Sequence, residues 1–200
     1  MFHPLAIWLV VPVKPLEESK SRLAAVLSRA ERAALSRAWL LGVLDTAHAS
    51  GCFAGRAVIS RDPAVWALAE DRGVLSLQES GDDLNTALEQ ARAALGIVGA
   101  DALLVLPSDL PLITVKDLQA LCGLAASGEC VVVAPSHDGG TNALLLRPPQ
   151  AIPFAFGEDS YARHCALAAD AGLPCHPYRS ETLAWDVDSP EDLLIPDRTS

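Results

Sequence analysis

Apolar residues along the chain follow two rhythms. Short runs of Val, Leu, Ile and Ala alternate with longer stretches in which apolar residues recur at every third or fourth position. The first rhythm belongs to strands buried on both faces, the second to amphipathic helices. Strands are expected over 6–13, 56–60 and 74–77, then around 103–106, 131–135 and 143–147, with two short ones over 175–178 and 183–187. Between them lie helix signals. Ser28 and Glu31 have the spacing of a capping box and Gly51 is a C-terminal stop, with Leu35, Trp39, Leu40, Val43 and Leu44 on the buried face. Pro63 starts a shorter helix that Gly73 ends, and another spans about 84–95. Thr114 with Asp117 opens one that ends near Gly128. Asp159 or Ser160 caps one that Gly172 ends, and Ser189-Pro190 starts a last turn. The tail over 197–200 is expected to be frayed. Strands alternating with helices predict an α/β fold, a three-layer sandwich with a mostly parallel sheet and the closing strands as antiparallel additions at an edge. The whole chain, 1–200, is expected to form one domain.

Composition narrows the field. The formal net charge is -10, which argues against non-specific binding to nucleic acid or to an anionic membrane. It leaves a nucleotide substrate open, because a few local cations and a metal ion can hold phosphates in an acidic protein. The apolar stretch at the N-terminus is short, with no basic segment before it, and reads as a strand rather than a signal peptide. No stretch is long and apolar enough to span a bilayer. The five cysteines are scattered and form no C-x-x-C pair, so reduced thiols and a cytoplasmic location are expected.

Candidate chemistry sits at strand ends. The central apolar run stops at Pro107-Ser108-Asp109-Leu110-Pro111, which places an acid at the carboxyl end of a strand, where open α/β sheets bind ligands. Read alone, Asp109 could equally cap a turn. The loop after the first strand concentrates Lys14, Lys20 and Arg22 and carries no Gly-rich phosphate fingerprint. Asp186 and Asp188, two apart in an extended segment, point to one face and offer hard oxygen ligands suited to Mg2+. Alone, Asp188 with Ser189-Pro190 reads as a helix cap. His137-Asp138-Gly139-Gly140 is a turn, followed by the hydroxyl of Thr141 and the amide of Asn142. Gly157 and Ser160 lie at a helix start, where free N–H groups favour an anion, with Arg163 and His164 on its first turn. Taken singly, Ser160 reads as a cap and His164 as a packed or surface imidazole.

Together these segments resemble the phospholactate guanylyltransferase family of deazaflavin coenzyme F-420 biosynthesis. The motifs that carry the resemblance are Val11-Pro12-Val13-Lys14-Pro15-Leu16 with Lys20-Ser21-Arg22-Leu23, Leu106-Pro107-Ser108-Asp109-Leu110-Pro111-Leu112, Asp138-Gly139-Gly140-Thr141-Asn142, Phe156-Gly157 through Ser160 and His164, and Asp186-Val187-Asp188-Ser189-Pro190. The resemblance implies a nucleotide-diphospho-sugar-transferase-like fold. It also implies guanylyl transfer from GTP to a small phosphorylated acid (phosphoenolpyruvate, 2-phospho-L-lactate or 3-phospho-D-glycerate) with release of pyrophosphate.

On that resemblance Asp109, Asp186 and Asp188 are expected at the metal, and Lys14, Lys20 and Arg22 at the triphosphate. Pro12, Val13, Lys14, Asp83, Asn85, Pro107 and Ser108 are expected about the nucleotide. Thr141, Asn142, Gly157, Ser160 and His164 are expected about the acceptor, with the product passing to the next enzyme of the pathway. A homodimer stays open. The competing readings are a nucleotidyltransferase with another acceptor, such as a sugar phosphate or molybdopterin, and a nucleotide-binding module without catalysis. Absence of the Gly-rich loop counts against the first, and retention of the three acids beside the cationic loop against the second.

Overall fold

In the computed structural model, which describes residues 5–81 and 83–193, seven strands form one sheet. They are β1 (Ile7–Pro12), β2 (Gly55–Ser60), β3 (Leu75–Gln78), β4 (Ala102–Val105), β5 (Cys130–Pro135), β6 (Thr141–Arg147) and β7 (Cys175–Pro177), in the spatial order β3-β2-β1-β4-β6-β5-β7. β1 pairs in parallel with both β2 and β4. The chain therefore winds outward from β1 to β3, then returns to lay β4 on the other side of β1. That reversal opens a crevice at the carboxyl ends of β1 and β4, where doubly wound sheets hold ligands.

Helices α1 (Arg29–Ser50), α2 (Pro63–Glu70) and α4 (Val115–Leu124) are joined by α3 (Leu84–Ile97) and α5 (Ser160–Asp170). Leu9 and Val11 of β1, Leu104 of β4 and Leu145 of β6 face Leu40, Val43 and Leu44 of α1 and Leu118 and Leu121 of α4. Val10, Leu103, Val105 and Leu144 face Leu88 and Leu95 of α3 and Ala168 of α5. The sheet is thus apolar on both sides, which is why its strands read as continuous runs rather than alternations.

The helix boundaries follow their caps. Ser28 and Glu31 form the expected capping box and Gly51 closes α1 in a left-handed conformation. Asp62 caps α2 through Ala64 N–H at 2.9 Å, and its other oxygen accepts Leu16 N–H at 2.9 Å, fastening the loop after β1 to the end of β2. α4 is shorter than expected, ending at Leu124 rather than near Gly128.

Two expectations are corrected. The antiparallel strand is not at an edge: β6 lies in the interior between β4 and β5, antiparallel to both, and the edge strand β7 runs parallel to β5. The turn after β5 reverses the chain, so β6 slots beside β4 and displaces β5 outward. The segment 183–187 joins no strand ladder. It runs across the carboxyl end of the sheet, with Leu183 and Val187 fully buried. The expected frayed tail, 197–200, lies outside the described residues.

Candidate active site

A cleft of about 500 Å³ occupies the crevice between β1 and β4. Its floor is Pro12 and Val13 from the end of β1 and Val105, Pro107, Ser108 and Asp109 beyond β4. Lys14, Lys20 and Arg22 line one wall, and Asp83, Leu84, Ala87 and Phe156 line another. Most nucleotide and cation candidates named from the sequence therefore meet in one place.

Lys20 is the centre of charge. Its Nζ bonds Asp109 and lies 2.9 Å from Asp188 Oδ1, with only 9% of its side chain exposed. Its backbone sits in the left-handed region at φ 55, which is rare for a residue with a Cβ and marks a position held by its surroundings. Burial alone would lower the ammonium's pKa, but Asp109 and Asp188 outweigh it and hold the group above its ordinary value. Arg22 Nη1 adds a looser contact, 3.6 Å from Asp188 Oδ2, and is largely exposed. Lys14 is exposed at the cleft edge.

Asp186 lies behind these groups. Burial pushes its carboxyl above the usual range, and the charges of Asp109 and Asp188 push the same way, while Asn142 opposes them. Val187 between the two acids is fully buried, and the acids have different partners: Asp186 is held by Asn142 and Asp188 by Lys20. Among the described residues, no group of three or more His, Cys, Asp and Glu is gathered closely enough to ligate a metal. The donor set around Lys20 is two carboxylates, Asp109 and Asp188, which suits a magnesium ion that keeps several waters and borrows phosphate oxygens.

The acceptor-side candidates divide between the two faces of β6. Between Ala134 and Pro135 the pairing slips, so that Ala143 opposes Ala134 while Thr141 opposes Pro135. Asn142 is the extra residue of this bulge, and a bulge redirects the side chains that precede it. Asn142 therefore faces the same side as Ala143. Its Nδ2 donates to Asp186 Oδ1 and to Leu183 O, each at 3.0 Å. Thr141 faces α5: its Oγ1 is 3.1 Å from His164 Nδ1 and accepts from Ser160 Oγ at 3.0 Å. His164 is fully buried and its Nε2 accepts from Ala155 N–H at 3.1 Å. Asn142 and His164 thus reach a ligand only through the groups they hold, Asp186 and Thr141. Gly157 adopts φ +124, a conformation that a side chain would strain.

The two candidates on α3 are also engaged. Asp83 caps the helix through Thr86 N–H at 3.0 Å. Asn85 clasps the backbone of Phe156, accepting its N–H at 2.8 Å and donating to its carbonyl at 3.2 Å. Two turns further on, Arg92 donates to Ile152 O at 3.0 Å and stacks on Phe154. α3 therefore holds the segment that presents Phe156 and Gly157.

Three contributors had no site role assigned from the sequence, although Phe156 heads one of its motifs. Trp39 has the helical spacing of a core residue, yet it lines the cleft with its ring 5.7 Å from Lys20 Nζ. Phe156 lines the opposite wall. Asp117, read only as a cap partner, accepts from Tyr178, Ser180 and Thr182 at 2.9, 2.6 and 2.8 Å. These bonds fix the segment leading to Asp186 and Asp188, and a capping signal carries no hint of them.

The sequence model of the family described as "Guanylyl transferase CofC like" matches residues 7–195. The chain belongs to this family. It is a nucleotidyltransferase of guanylyl-transferring type. A phosphoenolpyruvate guanylyltransferase of Rubrobacter xylanophilus is 43% identical over 190 residues, covering 94% of this chain and 92% of that protein. One from Chloroflexus aggregans is 40% identical over 191 residues, covering 94% and 95%.

Solved structures of other proteins share the fold. A protein of Desulfovibrio desulfuricans G20 described as a nucleotide-diphospho-sugar transferase superposes with a TM-score of 0.77 at 20% identity, covering 94% of this chain and 84% of that one. A 4-diphosphocytidyl-2C-methyl-D-erythritol synthase from Anaerococcus prevotii gives 0.66 at 9% identity, covering 94% and 92%. No helix among the described residues is long and apolar enough to cross a membrane.

Proposed function

We propose that this guanylyltransferase moves GMP from GTP to the phosphate of a small phosphorylated acid, releasing pyrophosphate, and that it serves deazaflavin coenzyme F-420 biosynthesis. Phosphoenolpyruvate is the first-choice acceptor, since it is named in the relatives' activity. 2-Phospho-L-lactate and 3-phospho-D-glycerate are the alternatives. The observation that carries the reading is the meeting of Lys20 with Asp109 and Asp188 in a cleft lined by cations on one side and by Leu84, Ala87 and Phe156 on the other. An apolar slot beside a cationic wall is the shape that a purine nucleoside triphosphate needs.

In this reading the base enters between Leu84, Ala87 and Val105, and Lys14, Lys20 and Arg22 neutralise the triphosphate. The hydroxyl of Thr141 and the backbone at Gly157 receive the acceptor phosphate, and Ser160 supports them through its bond to Thr141. One oxygen of that phosphate attacks the α-phosphorus of GTP, a new P–O bond forms, and the bond to pyrophosphate breaks with its electron pair on the leaving oxygen. The attacking oxygen is anionic at neutral pH, so no general base is required. Catalysis rests on positioning and on charge neutralisation. Asp109 and Asp188 are the residues that would hold magnesium, with Asp186 behind them; the ion, when bound, would neutralise charge developing on phosphate oxygens.

The test is pyrophosphate release from GTP and magnesium with each of the three acids in turn, and with glucose 1-phosphate as a contrast. Release with one acid and none with the sugar phosphate supports the reading. Release with the sugar phosphate alone replaces it.

A further inference from the structure

His164 is the one fully buried imidazole of α5, and both of its nitrogens are committed. The backbone N–H of Ala155 can only donate, so the Nε2 atom it reaches at 3.1 Å carries no proton. A neutral imidazole must then carry its proton on Nδ1, 3.1 Å from Thr141 Oγ1. Ser160 Oγ donates to the same Thr141 oxygen at 3.0 Å. A hydroxyl oxygen has two acceptor positions, and here both are filled. What Thr141 has left to offer is its own proton. Neutrality of the ring is independently favoured, because burial lowers the imidazole's pKa to about 4 and the nearby Arg163 charge pushes the same way.

We propose that His164 is a positioning residue that fixes Thr141 as a donor-only hydroxyl, so that the acceptor site takes ligands presenting anionic oxygen. The inference rests on the proposed guanylyl transfer to a phosphorylated acid and adds to it the reason a phosphate is preferred at Thr141. The same imidazole ties the site to the cleft wall. Ala155 precedes Phe156, whose ring meets His164 edge-on at 5.0 Å between centroids and whose backbone Asn85 clasps. One ring thus sets the polarity of Thr141 and the position of the segment entering Gly157.

Two variants separate these roles. The amide nitrogen of Asn lies close to where Nδ1 of His lies, so His164→Asn retains a donor to Thr141. His164→Gln reaches the Nε2 position instead and retains the acceptor for Ala155 N–H. Steady-state kinetics are measured with phosphoenolpyruvate, or with whichever of the three acids supports turnover, together with thermal unfolding of each variant. The Gln variant is expected to raise the KM for the acid by roughly ten- to hundredfold, the loss of one hydrogen bond to a charged group. The KM for GTP should stay within about twofold, and the Asn variant should recover most of the loss. Equal effects on both substrates, or a worse Asn than Gln variant, overturn the proposal.

Long-range nitrogen–proton NMR on the wild-type protein gives the tautomer directly. A proton on Nδ1 is expected and a proton on Nε2 overturns the proposal, even if neither variant folds. Wild-type inactivity with all three acids removes the functional reading instead, and the tautomer alone then decides the fate of the positioning role.

Discussion

Asn142 Nδ2 lies 3.0 Å from Asp186 Oδ1 and 3.0 Å from the carbonyl of Leu183. Asn142, expected about the acceptor, holds a half-buried acid whose pKa is pushed up by burial and by Asp109 and Asp188. Replacing it with alanine leaves a carbonyl and a carboxylate without their donor. Asn142→Ala should cost about 1–3 kcal/mol in thermal or denaturant unfolding. In kinetics it should lower kcat with little change in the KM of the phosphorylated acid. A tenfold rise in that KM at unchanged kcat would mean that Asn142 touches the acceptor after all.

Lys20 is fixed between two acids in a left-handed backbone conformation. Lys20→Met keeps the length of the stem and removes the charge. It should lower kcat/KM by roughly two to three orders of magnitude, since a charge at the reacting phosphates is lost. Asp109→Asn should do at least as much harm. Near-normal turnover in Asp109→Asn would remove this residue from the metal site.

Asp117 acts at a distance. Beyond capping its own helix through Thr114, its carboxylate receives the hydroxyls of Tyr178, Ser180 and Thr182. These contacts hold its pKa below the usual carboxylate range although burial works against them. Asp117→Ala should destabilise the protein by about 3 kcal/mol, because three half-buried hydroxyls lose a charged acceptor together. It should also lower kcat by tenfold or more through Asp186 and Asp188, although it contacts neither. Full activity in a destabilised variant would show that the 178–182 segment does not set the acids.

The buried imidazole predicts a pH dependence of stability. With its pKa lowered from 6.5 to about 4 in the folded state, His164 binds its proton less readily folded than unfolded. Stability from this group is therefore complete above about pH 6.5 and declines as pH falls towards 4. Between about pH 7.5 and pH 5 the loss should be about 2 kcal/mol. Denaturant unfolding of wild type and His164→Asn across that range checks it. The variant, having no imidazole there, should lose less by about that amount. Parallel curves would assign the acid sensitivity to other groups.

Much of the architecture was legible because its signals are local. The capping box of Ser28 and Glu31 and the stop at Gly51 bounded α1, and the apolar run ending at Pro107 placed Asp109 at the end of β4. Pairing is not local. Nothing in the residues of β6 says that it inserts between β4 and β5, since a doubly buried strand reads alike beside any partner. The bulge at Asn142 is equally silent, yet it decides that Thr141 meets α5 while Asn142 meets Asp186. The segment over 183–187 reads like a strand because it is apolar except for Asp186, and Leu183 and Val187 are buried. Its backbone is held by Asn142 and by Asp117's hold on the turn before it, rather than by a ladder. Trp39 sits at a core spacing but one step round the helix from the buried line of Ser36, Leu40 and Val43, which turns it towards Lys20.

The most direct test of guanylyl transfer follows the oxygen atoms. Phosphoenolpyruvate carrying oxygen-18 in its phosphate is incubated with GTP, magnesium and the protein, and the products are weighed by mass spectrometry. If the acceptor phosphate attacks the α-phosphorus, all label stays in a product joining guanosine diphosphate to the three-carbon acid, and the pyrophosphate released is unlabelled. Label in pyrophosphate, or GTP consumed without a labelled guanosine product, would contradict the account.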